Sequence, residues 1–525
     1  MRCAFCSSRL FASLSLPLLV LIALSTRRTA RAAGLEDTMT GTINLGRAAN
    51  ALRVQDFMAT WQNPANLALI PSNDLGGELR LPLLHSCFDR ARDNSAMYRI
   101  NDPAQGLAGT ESFQNVCNDG AHVPSGNLGF AQAFDSGWGW GIGFFTPAIN
   151  AASKYGNRTI VTQFPLANET LPLTTSGNES PNRFLLLERT VLGGFLQAGA
   201  GVQLSQKFRV GASVGLGFAN IHNVNVASVQ GGTFRDQEVL TDLKATDWLI
   251  PRAAVSVVVA PVDSFEAMAS LTYQSDVHAK GDVEFTTNGI QGGPLTDCRA
   301  ASPARPGPHC KSGDAEVTVP FPPLEAVLGM RYAKRRNPRV RALDSMRDEV
   351  WDVEVNGYWS QTSHVDADRV KLYDQAPGAP GSTNLTFSSA PNATTLSVPG
   401  TITVPHRWRD TFGVRAGGDY NLVPGKFSVR LGVSYETRAV PIEYMNIDAW
   451  PVAKLGLHAG GTVAFDKLKL SIAYAHIFYQ SVDVGVGAGR VPEIVSQQPN
   501  AAQPVNEGYY QAALDVVSVQ ANVAF

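Results

Sequence analysis

"TFGVRAGGDYNLVPGKFSVRLGVSYE", from Thr411 to Glu436, carries one two-residue period on both sides of a short turn. In its first half Phe412, Val414, Ala416 and Tyr420 fall on one side, with Thr411, Arg415 and Asp419 on the other. In its second half Phe427, Val429, Leu431, Val433 and Tyr435 oppose Lys426, Ser428, Arg430, Ser434 and Glu436. Successive strand side chains point to opposite faces, so the pattern predicts a hairpin with one apolar and one polar face.

The same alternation recurs along the chain. Strands are expected near 77–84, 127–134, 138–146, 191–203, 207–219, 250–262, 264–275, 315–335, 350–360, 410–420, 426–436, 455–465, 467–479 and 513–525. The connections alternate too. "DSG", "SQK", "VDS", "NLVPG" and "DK" follow the second, fourth, sixth, tenth and twelfth strands, whereas those after odd-numbered strands are long and rich in Gly, Pro, Ser and Asn. The basic "AKRRNPRVRALDSMRDE" after the eighth is intermediate. Short turns at one rim and long loops at the other belong to an all-β fold, a 14-stranded antiparallel transmembrane β-barrel. Nothing in a soluble sandwich sorts every long loop to one end. The last strand ends on Phe525, in phase with Val517, Val519, Ala521 and Val523, a familiar mark of outer-membrane barrels.

Residues 1–32 read as a secretory signal peptide: Arg2 and Arg9 precede "LFASLSLPLLVLIALS", and "ARAAG" offers a cleavage site after Ala32. The arginines at 2, 9, 27, 28 and 31 leave with it, taking the formal net charge from −2 to −7. Such a chain is expected to be exported through the Sec pathway, and its acidity argues against nucleic acid as a partner. Cys87, Cys117, Cys298 and Cys310 remain, with 87–117 and 298–310 the pairings nearest in sequence. Each pair is expected to clip one exposed loop without entering the wall. No Cys/His spacing indicates a metal, and no cofactor is expected.

"GASVG" (Gly211–Gly215) matches a nucleophile elbow, but Ser213 sits inside an alternating strand, without the strand–turn–helix setting the motif needs. "GWGWGIG" (Gly137–Gly143) and "GVGAGR" (Gly485–Arg490) lack the following helix of a phosphate loop. One polar-face feature is more pointed. With a tight turn at Asn421–Gly425, Asp419 pairs with Lys426 and Arg415 faces Arg430. Like charges opposite one another call for an anion between them, either a ligand carboxylate or a lumen Asp or Glu.

These segments resemble the FadL-like outer-membrane transporters of long-chain fatty acids and other hydrophobic compounds. The likeness spans most of the chain, loosely. "AGLEDTMTGTINLGRAANALRVQDFMATWQNPANLALIP" resembles that family's N-terminal hatch, with Asn44, Gly46 and Arg47 in one step and Asn63-Pro64-Ala65 before the first strand. "YQSDVHAKGDVEF", "VPFPPLEAVLGMRYA" and "AYAHIFYQSVDV" extend it. The resemblance implies a hatch at 33–74 plugging a barrel at 75–525. It further implies a monomer in the bacterial outer membrane, inserted by the barrel-assembly machinery through Phe525. A hydrophobic small molecule or fatty acid is expected to diffuse passively to an inner pocket and leave sideways into outer-membrane lipid. The family's wall gap goes with a kink in the third strand, for which Pro147 is the candidate, since proline removes a ladder donor. A porin for polar solutes is the rival within transport. An outer-membrane lipase or phospholipase is the rival from enzymes, with His222 the histidine nearest Ser213 in sequence.

Overall fold

The computed structural model describes residues 40–49, 51–91, 115–120, 122–146, 151–155, 182, 184–228, 238–287, 310–337, 344–373, 383–387, 394–398, 400–492 and 504–525. The signal segment, Pro147 and Cys298 lie outside these.

Fourteen antiparallel strands close a barrel. They are β1 (Asp74–Arg90), β2 (Ser125–Ala133), β3 (Trp138–Phe145), β4 (Glu188–Ser205), β5 (Phe208–Ser228), β6 (Glu238–Val262) and β7 (Phe265–Gln274), continuing with β8 (Leu324–Arg335), β9 (Glu349–Ser360), β10 (Thr411–Val423), β11 (Phe427–Glu436), β12 (Lys454–Phe465), β13 (Leu468–Tyr479) and β14 (Gly508–Ala524). β14 closes on β1 in a ladder from Asp74↔Ala524 to Arg90↔Gly508. Along the outside Leu79, Leu128, Leu196, Val214, Leu216, Leu328, Leu431 and Ile472 stand exposed. Their inward neighbours on the same strands are polar and buried: Glu78, Asn127, Gln197, Ser213, Arg331, Arg430 and Ser471. An apolar exterior over a polar interior is the surface of a wall that faces lipid.

Several strands run further than the alternation indicates, because the polarity of the two faces reverses partway up the wall. On β7 Leu271 and Tyr273 point outward while Glu266 and Met268 are buried inside. After Ser275 and Asp276 the strand resumes at Val277–Thr287 with Val277, Ala279 and Val283 buried, and His278, Lys280 and Asp282 exposed. Across from it Cys310–Val319 buries Ala315, Val317 and Val319 before a proline-rich step into β8. Above these breaks water, not lipid, lies outside, so apolar side chains turn inward. The barrel therefore has a polar lower lumen and an apolar upper one.

Candidate functional site

Residues 40–73 thread the lower lumen as two short helices, α1 (Thr42–Arg47) and α2 (Ala59–Gln62), then a 3-10 turn at Pro64–Leu69. Their backbone polar groups are met by the wall and by the segment itself, as an irregular chain inside a barrel requires. His458 Nδ1 lies 2.8 Å from the Leu45 carbonyl, the Leu52 amide donates to Glu354 and the Phe57 amide to Asp74. Asn63 caps this arrangement from within, its amide donating to the Ala51 carbonyl at 2.7 Å. Asn66 donates to the carbonyls of Leu52 and Val54 and accepts from Arg209. The Ala65 amide reaches Ser256 at 2.9 Å.

On one side charge holds the segment. Arg47, fully buried, reaches Asp352 at 2.5 Å and Asp419 at 3.4 Å, with Glu354 at 3.6 Å. Arg53 meets Asp419 at 3.1 Å. Arg331 bonds Asp352 at 2.8 Å and Glu266 at 3.0 Å and pairs with Glu349, and Arg209 also reaches Glu266, at 3.1 Å. Buried ions persist only when paired this fully, so the N-terminal segment and the wall form one electrostatic unit. The Arg47 carbonyl lies against Gly417 and Gly432, where any Cβ would sit 1.7 and 2.2 Å from it.

The opposite side is held by close contact. Gly139, Gly201 and Gly211 face the backbone of Pro64–Leu67 so tightly that a Cβ would approach it to 2.1–2.3 Å. Gly139 and Gly141 of "GWGWGIG" thus make room for Leu67 of the 3-10 turn. Beside them Trp61 stacks on Phe145 at 5.3 Å between ring centroids and lies 5.7 Å from Phe195. The Arg252 guanidinium covers its other face at 3.6 Å and is held by Gln197 at 2.6 Å. Trp61 also touches the apolar cluster of the upper lumen, which joins Phe195, Ile221, Leu243, Val277, Val317, Phe321, Leu372 and Ile402.

Next to Trp61 β3 pairs with β4 as far as Phe145↔Phe195, and a second stretch pairs with β4 from Ala151↔Val191. Between these two pairs lie five residues on one side, 146–150, and three on the other, 192–194. At the near edge the ladder gives way to side-chain contacts: the Thr146 amide donates to Asn127, and Arg80 donates to the Thr146 carbonyl. Phe144, Phe218 and Trp248, on β3, β5 and β6, form an aromatic row beside it.

The expected pairing of Arg415 with Arg430 does not form. β10 runs on to Val423, which pairs with Phe427, so the turn lies further along than expected and Asp419 stands opposite Arg430 and Arg415 opposite Ser434. Asp419 is thus the anion beside Arg430, at 3.3 Å, while Thr462 takes the other end of that guanidinium. Arg415 lies over the Tyr358 ring at 4.4 Å. Gly46 packs against Arg430 and the Gly460 backbone.

Cys87 and Cys117 are disulfide-bonded. Against expectation Cys87 lies on β1 itself, which runs on to Arg90, so the bond ties the wall to the short strand Val116–Cys117. Ser213 is buried inward and accepts from Gln197 at 2.7 Å. His222, on the other face of β5, lies 2.8 Å from Asp242, so the two form no catalytic pair.

Trp61 and Arg252 were not singled out by sequence reasoning. The signal available for them was an aromatic next to Asn63-Pro64 and an arginine in the polar phase of β6.

No family model matches the chain, and no curated protein matches it. Among solved structures it superposes on a FadL homologue from Pseudomonas aeruginosa with TM-score 0.65 at 16% identity, over 94% of this chain and 100% of that one. The Pseudomonas putida toluene transporter TodX gives 0.58 at 13%, over 94% and 100%. CymD, a monoaromatic hydrocarbon channel, gives 0.56 at 12%, over 93% and 97%. At these identities the likeness establishes the fold, and the FadL resemblance read from the sequence holds at that level.

Proposed function

We propose that this chain is an outer-membrane channel for hydrophobic small molecules, aromatic hydrocarbons or long-chain fatty acids, and not an enzyme. The observation that carries this reading is Trp61, which lies between the apolar upper lumen and the ion-locked N-terminal segment, against Phe145 at the end of β3. A hydrophobic solute gains roughly 25 cal/mol per Å² on entering the upper lumen. It then has no apolar route downward, because the hatch and its ion pairs fill the lower lumen. The route left in this proposal is sideways past Trp61, between β3 and β4 beyond Phe145 and into lipid, with Pro147 as the candidate kink. Flow is passive, driven by the solute gradient.

The remaining parts of the proposal are export on a cleaved signal at 1–32, a hatch at 33–74 in a monomeric barrel at 75–525, and assembly through Phe525. The structural neighbours named as toluene and monoaromatic hydrocarbon transporters favour an aromatic substrate.

The test is uptake by cells lacking their own hydrophobe channel. Expression of this chain raises uptake of toluene or oleate several-fold. Deleting two residues from 146–150, which shortens that segment to the length of its partner, abolishes the gain while the barrel still runs as folded on an unboiled gel. Undiminished uptake by that folded variant excludes the lateral route.

A further inference from the structure

We propose that Asp368, His406 and Asp448 bind a divalent transition-metal ion of the zinc class at the external end of the barrel, clipping two loop segments together over the upper lumen. One imidazole nitrogen and two carboxylate oxygens converge there, all within 4.8 Å of one another. The sequence gives no hint of this, because its ligands are scattered over eighty residues of chain.

The ligands are held independently of any ion. Asp368 lies on the strand Ala367–Tyr373 opposite Val404 of Thr401–Pro405, and His406 follows that second strand directly. The amides of His406 and Arg407 both donate to the Asp366 carbonyl, fixing the imidazole relative to Asp368. Asp448 comes from the segment between β11 and β12, whose base is tied by the Ala439 and Val440 amides to the Pro451 carbonyl.

Geometry and chemistry suit a small dication. His406 Nε2 lies 3.3 Å from Asp368 Oδ2. That is about the ligand–ligand spacing of a tetrahedral zinc with bonds of ~2.0–2.1 Å. Three protein ligands leave a fourth position for water, and an imidazole with two carboxylates favours zinc, manganese or cobalt over calcium. The independent mark of a missing partner is Asp448. Its side chain is 9% exposed, yet Oδ1 is buried with no hydrogen-bond donor. Arg189 approaches the other oxygen, at 3.5 Å, and the Asp448 carbonyl at 3.4 Å.

The clip would act on the apolar lumen. Val365, Trp408, Val440, Ile447 and Ala449, neighbours of the ligands in the chain, belong to the apolar cluster that fills the external end. An ion joining the two segments would hold that cluster shut.

The test uses purified full-length protein stripped with chelator. Wild type takes up one Co²⁺ with the visible absorption of a tetrahedral site, zinc displaces it, and Asp448→Asn and His406→Gln each weaken binding at least tenfold while remaining folded on unboiled gels. Zinc-edge X-ray absorption on wild type needs no variant and shows a shell of nitrogen and oxygen with a single imidazole. No binding by wild type at ~100 µM Co²⁺ or Zn²⁺, binding untouched by both folded variants, or a shell with two or more imidazoles overturns the proposal.

Discussion

The two sides of the N-terminal segment are held differently. Toward β8–β11, Arg47 and Arg53 are sunk into Asp352, Glu354 and Asp419, with the Arg47 carbonyl also set close against Gly417 and Gly432. Toward β2–β6, Pro64–Leu69 lies on bare glycine backbone and Trp61 on Phe145, and the charged contacts are those of Arg209 with Asn66 and of Arg252 with Trp61. An ion-paired contact is all-or-none, because separating the partners strands charges out of water. A van der Waals contact yields by degrees. On the proposed function, the charged side should serve as the fixed anchor and the glycine and aromatic side should yield.

The sharpest way to break this comparison is to remove the carboxylate that Arg47, Arg53 and Arg331 share. Asp352→Ala leaves these buried guanidiniums short of a counter-charge, a loss of about 3–5 kcal/mol. The hatch should leave its seat, and leak of a small sugar from liposomes carrying the variant should rise on the order of 10²-fold or more. Unchanged leak from a folded barrel means that the anchor lies elsewhere.

On the other side the expected effect is smaller. Gly201→Val or Gly211→Val drives a side chain into the backbone of Pro64 and Ala65. Overpacking of this kind costs about 1–3 kcal/mol, because neighbours shift to make room. Leak should rise roughly tenfold, less than for Asp352→Ala, while hydrophobe uptake changes in the same variants. Equal leak from the two sets of variants removes the distinction between anchor and yielding face.

The barrel itself was legible because lipid outside and water inside impose opposite polarity on adjacent residues, and that alternation survives in any sequence that folds this way. Strand ends were not. Above the membrane Val277, Ala279 and Val283 turn inward while His278, Lys280 and Asp282 turn out, and such a reversal reads as a broken pattern unless the rim is known. The burial of the irregular segment "ATWQNPANLALIP" was legible, and its Asn63 does satisfy neighbouring backbone. The docking imprint of the N-terminal segment was also present, as glycines in the inward phase at 139, 201, 211, 417 and 432, but a glycine in a strand records only that something comes near. The Arg415–Arg430 register failed because β10 runs on to Val423, placing the turn about two residues further along the chain than expected. Such a move shifts every cross-strand partner by four positions, an even number that leaves each side chain on its face.

The smallest effect concerns the periplasmic edge of the anchored side. There α3 (Ser345–Asp348) begins at Asp344, whose carboxylate accepts from the Met346 amide at 2.9 Å and from Lys469 at 3.0 Å, while the Ser345 amide donates to Gln55 of the hatch. Burial alone would raise the Asp344 pKa, but the Lys469 ammonium and the Met346 amide outweigh it and hold the pKa below the usual value of 3.8. A carboxylate lowered in this way adds stability that is present above about pH 4 and fades as pH falls through the lower value. Asp344→Asn keeps the cap and loses only the partly exposed ion pair, about 0.2–1 kcal/mol, whereas Asp344→Ala also loses the cap, for about 1 kcal/mol more. In urea unfolding the gap between wild type and Asp344→Asn should therefore be open at pH 7 and narrow toward pH 3, while the gap between Asn and Ala persists at both. If the Asn gap keeps its size at low pH, the contact is packing rather than charge, and the anchored side is less electrostatic at its rim than at its centre.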